Sequence, residues 1–411
     1  MSMDSKVPEI RFKGFSGAWV ENNLGELIDI RSAARVHKEQ WTEAGVPFFR
    51  TSDVVSIYKG QENTKAYISH EVYNGLSEKI GKVTKDDLLI TGGGSIGIPY
   101  LVQNDNPLYF KDADLLWLKN NKKFNGYFLY TFFFSAPFKR HIKSISHTGT
   151  IAHYTIEQVK ATPINTCYDE EQTQIGNCFQ KLDTLINQHQ QKHDKLSSIK
   201  KAMLEKMFPK QGETIPEIRF KGFKGEWEEK ELNNEVELFS GLTYSPSDIR
   251  NSGTLVLRSS NVKNGQLIEA DNIYVNPEVV NCSNVVEGDI IIVVRNGSRS
   301  LIGKHAQVTS RMDNTVIGAF MTGIRSKQPA FINALLDTNM FTTEVEKNLG
   351  ATINQITNGS FNSMVFMFPK EDEQVEIGNY FQKLDALINQ HQQQITKLNN
   401  IKQACLSKMF I

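Results

Sequence analysis

This chain of 411 residues is one unit of about 200 residues written twice, and such self-similarity restricts architecture more than local propensity does. Val7-Pro8-Glu9-Ile10-Arg11-Phe12-Lys13-Gly14-Phe15, followed by Trp19, returns as Ile215-Pro216-Glu217-Ile218-Arg219-Phe220-Lys221-Gly222-Phe223, followed by Trp227. A second block runs from Glu171 to Phe208 and again from Glu373 to Phe410. Its centre, Phe179 to Gln191 against Phe381 to Gln393, differs at one position, Thr184 against Ala386. Lys206-Met207-Phe208 runs on into Pro209 and the second start, whereas Lys408-Met409-Phe410-Ile411 stops close to where a further copy would begin. The arrangement is therefore cyclic, with an approximate two-fold axis.

The second block has the step of a heptad. Ile175, Phe179, Leu182, Ile186, His189, His193, Leu196, Met203 and Met207 are matched by Ile377, Phe381, Leu384, Ile388, His391, Ile395, Leu398, Cys405 and Met409. Each helix of about 37 residues would be roughly 55 Å long. Alone it would expose its apolar stripe, so the two copies are expected to pair, most simply as an antiparallel coiled coil. The remaining segments, near 7–166 and 215–368, align loosely. Each carries a strand-like run ending in a Gly/Ser loop, Asp87 to Ser95 and Asp289 to Ser298. A helix candidate follows, Tyr127 to Ile145 (which Pro137 should kink or divide) and Phe331 to Leu349. Gly149 and Gly350, a turn and a last strand then lead into the long helix. The expected class is α+β: residues 1–166 and 211–368 as two similar globular domains with different surfaces, 167–210 and 369–411 as long helices.

Composition is that of an ordinary soluble protein, and no apolar run approaches the roughly 20 residues that span a bilayer. Met1 to Lys6 lacks a secretory apolar stretch. Cys167, Cys178, Cys282 and Cys405 stand apart, without zinc-type or disulfide-rich spacing, which fits a reducing cytoplasm. The 46 basic residues balance 46 acidic ones, so a nucleic-acid partner would require positive charge that is local or borrowed.

Two similar domains on a stiff rod suit a ligand that is itself a rod with repeating faces. B-DNA presents equivalent faces about 34–36 Å apart. Unlike domains would read unlike half-sites, and the near-identical helices would act as a ruler and as a symmetric dock for two copies of a partner. Over essentially its whole length the chain resembles the specificity subunits of type I restriction–modification systems. The likeness rests on the paired Pro-Glu-Ile-Arg-Phe…Gly…Trp starts, the paired Glu-Gln…Gln-Lys-Leu-Asp…Leu-Ile helices and the Lys-Met-Phe helix ends. It implies two target-recognition domains, each reading half of an asymmetric, interrupted site on double-stranded DNA. It also implies two adenine methyltransferase subunits docked on the repeated helices and binding S-adenosylmethionine themselves; Phe179, Leu182, Ile186, Phe381, Leu384 and Ile388 are the residues expected to serve the coiled coil and partner docking. Optional motor–nuclease subunits would use ATP and magnesium.

Candidate DNA contacts fall in short stretches. Lys122 to His147 holds Lys122, Lys123, Lys139, Arg140 and Lys143 without an acid, and Arg295 to Arg311 holds Arg295, Arg299, Lys304 and Arg311, again without one. Both read as basic footprints, or as solvated charged faces. Thr91-Gly92-Gly93-Gly94-Ser95 and Arg295-Asn296-Gly297-Ser298 could bring backbone amides to phosphate, or be tight turns; neither has the Lys-Ser/Thr of a P-loop. Arg50-Thr51-Ser52-Asp53 and Arg258-Ser259-Ser260-Asn261 occupy matching places and could contact bases or cap turns. Thr148-Gly149-Thr150 and Asn354-Gln355 are weaker candidates. The run Tyr130 to Phe134 is read as packing, and His189 with His193 as a polar seam layer, not a metal pair. Asn276-Pro277-Glu278 does not match the Asn/Asp-Pro-Pro-aromatic tetrad that family analogy gives to adenine methyltransferases. No fingerprint for S-adenosylmethionine, helicase P-loop or nuclease carboxylate cluster is visible. The chain is therefore read as non-catalytic. A self-sufficient enzyme and a structural coiled-coil adaptor are the rivals.

Overall fold

A computed structural model describes residues 6–145, 153–349 and 354–411. It divides into two compact units, one of Met1–His189 with Gln393–Ile411, the other of Gln190–Gln392. These units do not follow the segment boundaries expected from sequence, because each takes half of both long helices.

Both units repeat one topology. In the first, a four-stranded antiparallel sheet runs in the order Asp29–Ser32, Leu115–Lys119, Leu88–Thr91, Pro99–Leu101. A second sheet runs Trp41–Thr42, Tyr67–Ile68, Val46–Phe49, Tyr109–Phe110, with its last pair parallel. The ribbon Val20–Asn23 with Pro163–Thr166 leads into the long helix. The second unit has the same orders: Val236–Ser240, Met321–Ser326, Ile290–Val293, His305–Gln307, then Ile249–Arg250, Ile273–Val275, Thr254–Leu257, Thr315–Ile317, with the ribbon Glu228–Glu231 and Val365–Phe368. Leu88-Leu89-Ile90 and Ile290 to Val293 are central strands fully out of water, which is why each reads as an unbroken apolar run.

The units diverge after the Val46–Phe49 and Thr254–Leu257 strands. The first continues into helices Thr51–Lys59 and His70–Ile80. The second makes a 3-10 turn, Ser259–Asn261, and the hairpin Val262–Lys263 with Gln266–Leu267. Asn264 and Gly265 turn that hairpin at φ 52° and 71°, the left-handed pair that a two-residue loop prefers.

The long helices span Asp169–Met207 and Glu371–Lys408, each with three acidic residues in its first turn, where the helix dipole favours them. In the first unit Phe179 lies 6.0 Å from Phe410, and Asp183 pairs with Lys402 at 2.5 Å. In the second, Phe381 lies 6.1 Å from Phe208, and Asp385 pairs with Lys200 at 2.5 Å. Rising numbers on one helix meet falling numbers on the other, so within each unit the helices run antiparallel.

The repeated start motif anchors these helices. Ile10 N donates to Lys408 O, and the Arg11 guanidinium forks onto Glu171 at 2.6 and 2.7 Å. Ile218 N donates to Lys206 O, and Arg219 forks onto Glu373 at 2.6 Å through both nitrogens. Phe410 packs on Trp19 and Phe128, as Phe208 packs on Trp227 and Phe331.

Both helix candidates divide. The first splits into Gly126–Phe132 and Ala136–Ile145, with Pro137 in the second piece's opening turn. The second, expected as one helix, breaks without a proline into Pro329–Leu336 and Asn339–Asn348. Thr338 forces that break: its hydroxyl donates to Leu335 O and accepts from Phe341 N, capping the second piece.

Candidate nucleic-acid interface

The fold gathers the scattered candidates of each domain. In the first unit, Thr51 Oγ1 (3.2 Å) and Gly92 N (2.8 Å) both donate to Asp114 O. The Thr51 turn and the glycine loop are thereby joined. Gly93 bridges to His153, and Tyr154 N donates to Gly92 O. Gly94 has φ +70° with open space around it, and it and Ser95 are exposed. The loop then returns through Gly97, where an added Cβ would lie 3.2 Å from the Phe138 ring. Phe138 belongs to the Ala136–Ile145 helix, so that helix packs on the loop. Its Lys139, Arg140 and Lys143 are exposed, without carboxylate partners among the described residues. Lys122 and Lys123 separate from this group. They line a polar cavity of about 420 Å³ with Lys85, Asn125, Asp169 and Thr173.

In the second unit three distant stretches converge. Asn296 Nδ2 donates to Ser259 Oγ (3.3 Å), Lys304 Nζ to Ser259 O (3.5 Å), and Asn296 N to Asn354 O (3.3 Å). Arg295 bridges to Gln355 along the backbone, and its guanidinium stands 4.9 Å from the Phe320 ring centre. Phe320 is 54% exposed, an aromatic beside a cation that the sequence analysis passed over; its signal was an apolar residue just after the buried Thr315–Ile317 strand. Ser298 and Arg299 are exposed at the tip, where Ser298 N donates to Asn296 Oδ1.

Several candidates have internal tasks. Arg50 N donates to Asp53 Oδ2, as Arg258 N does to Asn261 Oδ1, so both quartets are capped turns. The Arg50 side chain holds Asp53 and Thr64 O, and the hydrogen bond to Asp53 raises the guanidinium's pKa further. Arg258 Nη2 donates to Asp271 O. Ser52 Oγ accepts from Asn63. Two residues must be moved out of the contact set. Thr91 is fully buried, its hydroxyl spent on Ser95 O and Ile98 N. Asn261 is fully buried, its amide spent on Ala270 O, Ile268 O and Asn272 Oδ1. Of the six residues expected to serve the coiled coil and partner docking, Phe179 and Phe381 are at most 1% exposed and Leu384 is 8%, so these three pack inside their units and present no docking surface, while Leu182, Ile186 and Ile388 are half-buried along the seam. Phe132 and Phe133 are buried in the first core, which is the packing role expected of that run. Thr148-Gly149-Thr150 and Gly350 lie outside the described residues. Among the described residues no group of three or more His, Cys, Asp or Glu could hold a metal, and no helix is long and apolar enough to cross a membrane.

Residues 17–198 and 224–400 match the model of the type I restriction modification DNA specificity domain. The chain belongs to that family. Among members of the specificity-domain family, a Haemophilus influenzae chain named for a type I restriction enzyme specificity subunit is 29% identical over 167 residues, 40% of either chain. The StySPI specificity subunit of Salmonella potsdam is 25% identical over 186 residues, 43% of this chain and 39% of its own. These matches span about two fifths of the relatives' length. The S subunit of a type I restriction-modification system from M. genitalium shares the fold at TM-score 0.63 and 15% identity, covering 98% of this chain and 99% of its own. The resemblance read from the repeated motifs is thus confirmed as family membership, and the α+β duplication as its fold.

Proposed function

We propose that this chain reads double-stranded DNA at an asymmetric, interrupted site, one half per unit, and directs adenine methyltransferase subunits there in the cytoplasm. Chemistry belongs to the partners: S-adenosylmethionine in the methyltransferases, and ATP with magnesium in motor–nuclease subunits where present. The observation that carries the reading is the convergence of the candidate stretches onto one loop face in each unit, with different residues in the two units. Lys139, Arg140 and Lys143 supply phosphate-binding charge beside the first face, and Arg295 over Phe320 offers a cation and an aromatic edge on the second. Zero net charge is compatible with this if partners add phosphate contacts.

The test is to exchange residues 232–364 for those of another family member and sequence the methylated positions in cells that also carry the methyltransferase. One half of the methylated site should change and the other persist. An unchanged site would favour the adaptor reading, and methylation by the isolated chain would favour an enzyme.

A further inference from the structure

The recognition faces of the two units share one backbone position whose side chains differ in chemistry. In the second unit, Val294 N and Arg295 N donate to Phe320 O at 3.1 and 3.2 Å. In the first, Gly92 N donates to Asp114 O at 2.8 Å. The strands agree: Val293 pairs with Met321 as Thr91 pairs with Leu115, and the bridge from Arg295 to Gln355 answers that from Gly93 to His153. Arg295 and Phe320 therefore stand where Gly93 and Asp114 stand. In both units the two places adjoin. A Cβ added to Gly93 would lie 3.2 Å from Asp114 Oδ1, and the Arg295 guanidinium stands 4.9 Å from the Phe320 ring centre.

Arg295 has no internal task beyond that ring. Its guanidinium has no hydrogen-bond or carboxylate partner among the described residues, and the attraction between cation and ring face holds it over Phe320. Phe320 is 54% exposed, although Thr315–Ile317 before it and Met321 after it are buried. The first unit has neither donor nor ring here. Gly93 lacks a side chain, and the Asp114 carboxylate is taken by Lys111 at 2.5 Å.

A planar cation with free donors beside an exposed apolar edge matches what the major groove presents at two neighbouring base pairs. Guanine offers O6 and N7 to a fork of donors, and thymine offers a methyl group. We propose that Arg295 and Phe320 set specificity in the half-site of the second unit, Arg295 reading a guanine and Phe320 the methyl of an adjoining thymine. A phosphate contact would use Arg295 but leave the ring against water, so Phe320 is what points to a base edge. The same position, built from Gly93 and Asp114, cannot make that reading in the first unit, which helps to make the half-sites unlike. The inference rests on the functional reading above.

Exchanging residues 232–364 identifies the half-site of the second unit, and that half should contain a guanine next to a thymine. Duplexes carrying the wild-type site are then titrated with the full chain and its methyltransferase subunit. Replacing that thymine by uracil, which removes only the methyl, should weaken wild type about tenfold and leave Phe320→Ala unaffected. In cells, Phe320→Ala should let other bases replace the thymine in methylated sites, Phe320→Leu should keep it, and Arg295→Gln should relax the guanine. The other half-site should stay the same in every variant. Both residues are exposed, so the variants should melt with wild type. A half-site without adjoining guanine and thymine, or equal uracil penalties in wild type and Phe320→Ala, would overturn the assignment and leave the functional reading standing. A site untouched by the domain exchange would overturn both. Weaker methyltransferase binding by Phe320→Ala with an unaltered site would make Phe320 a protein contact and also overturn the assignment.

Discussion

His305 shows how one side chain can tie a recognition sheet to the helices of its unit. It is buried, with Nδ1 2.9 Å from Gly303 O and Nε2 3.4 Å from Asp337 Oδ1, and Phe341 lies edge-on to its ring. Asp337 also takes Lys200 Nζ at 2.6 Å, and Lys200 reaches Asp385. Burial opposes charge on the imidazole, but Asp337 and the Gly303 carbonyl outweigh it and raise its pKa above the ordinary 6.5. Burial likewise opposes charge on Asp337, yet His305 and Lys200 hold it down at about 2. The raised histidine contributes stability that is complete below pH 6.5 and fades as pH climbs through its folded-state value. The carboxylate's contribution is present above 3.8 and is lost as pH falls toward about 2. The melting temperature should therefore drop from pH 6.5 upward in wild type, and His305→Gln should flatten that limb. Equal slopes in the two proteins would refute the account. None of this partnership was legible in sequence, because His305, Asp337 and Lys200 are brought together only by the sheet and the broken helix. Asn261 was legible as one of two alternatives, and its Oδ1, which accepts from Arg258 N, decides for the cap.

At the scale of the element, the start motif and the long helices stabilise each other. Glu171 has a fully buried carboxylate whose fork partner is Arg11. Arg11→Met should cost about 3 kcal/mol or more, because an uncompensated charge would remain in the core. Adding Glu171→Leu should recover most of that loss, as read from urea unfolding midpoints; a double variant no better than the single one would point to lost packing instead. The helices themselves were readable because a seven-residue apolar step survives in both copies. Their neighbours were less so. Pro137 announced one helix break, whereas Thr338 makes the equivalent break with a hydroxyl that sequence alone cannot tell from a mid-helix threonine.

For the molecule as a whole, duplication was visible from repeated motifs, but that Gln393–Ile411 belongs to the first unit was not. The first unit draws Leu406, Met409 and Phe410 into its core, all at most 4% exposed. Removing residues 406–411 should strip hydrogen-exchange protection from amides of the first unit, such as those of Leu88 to Ile90, and leave Ile290 to Ile292 protected. Loss confined to the shortened helix would contradict this. Domains emerging from the ribosome usually close in the order they are made. Here Gln190–Gln392 is continuous along the chain, whereas the half synthesised first lacks its closing residues until Gln393–Ile411 has been made. Birth order and maturation order are reversed, so a prematurely terminated product would be left with its oldest part unfinished.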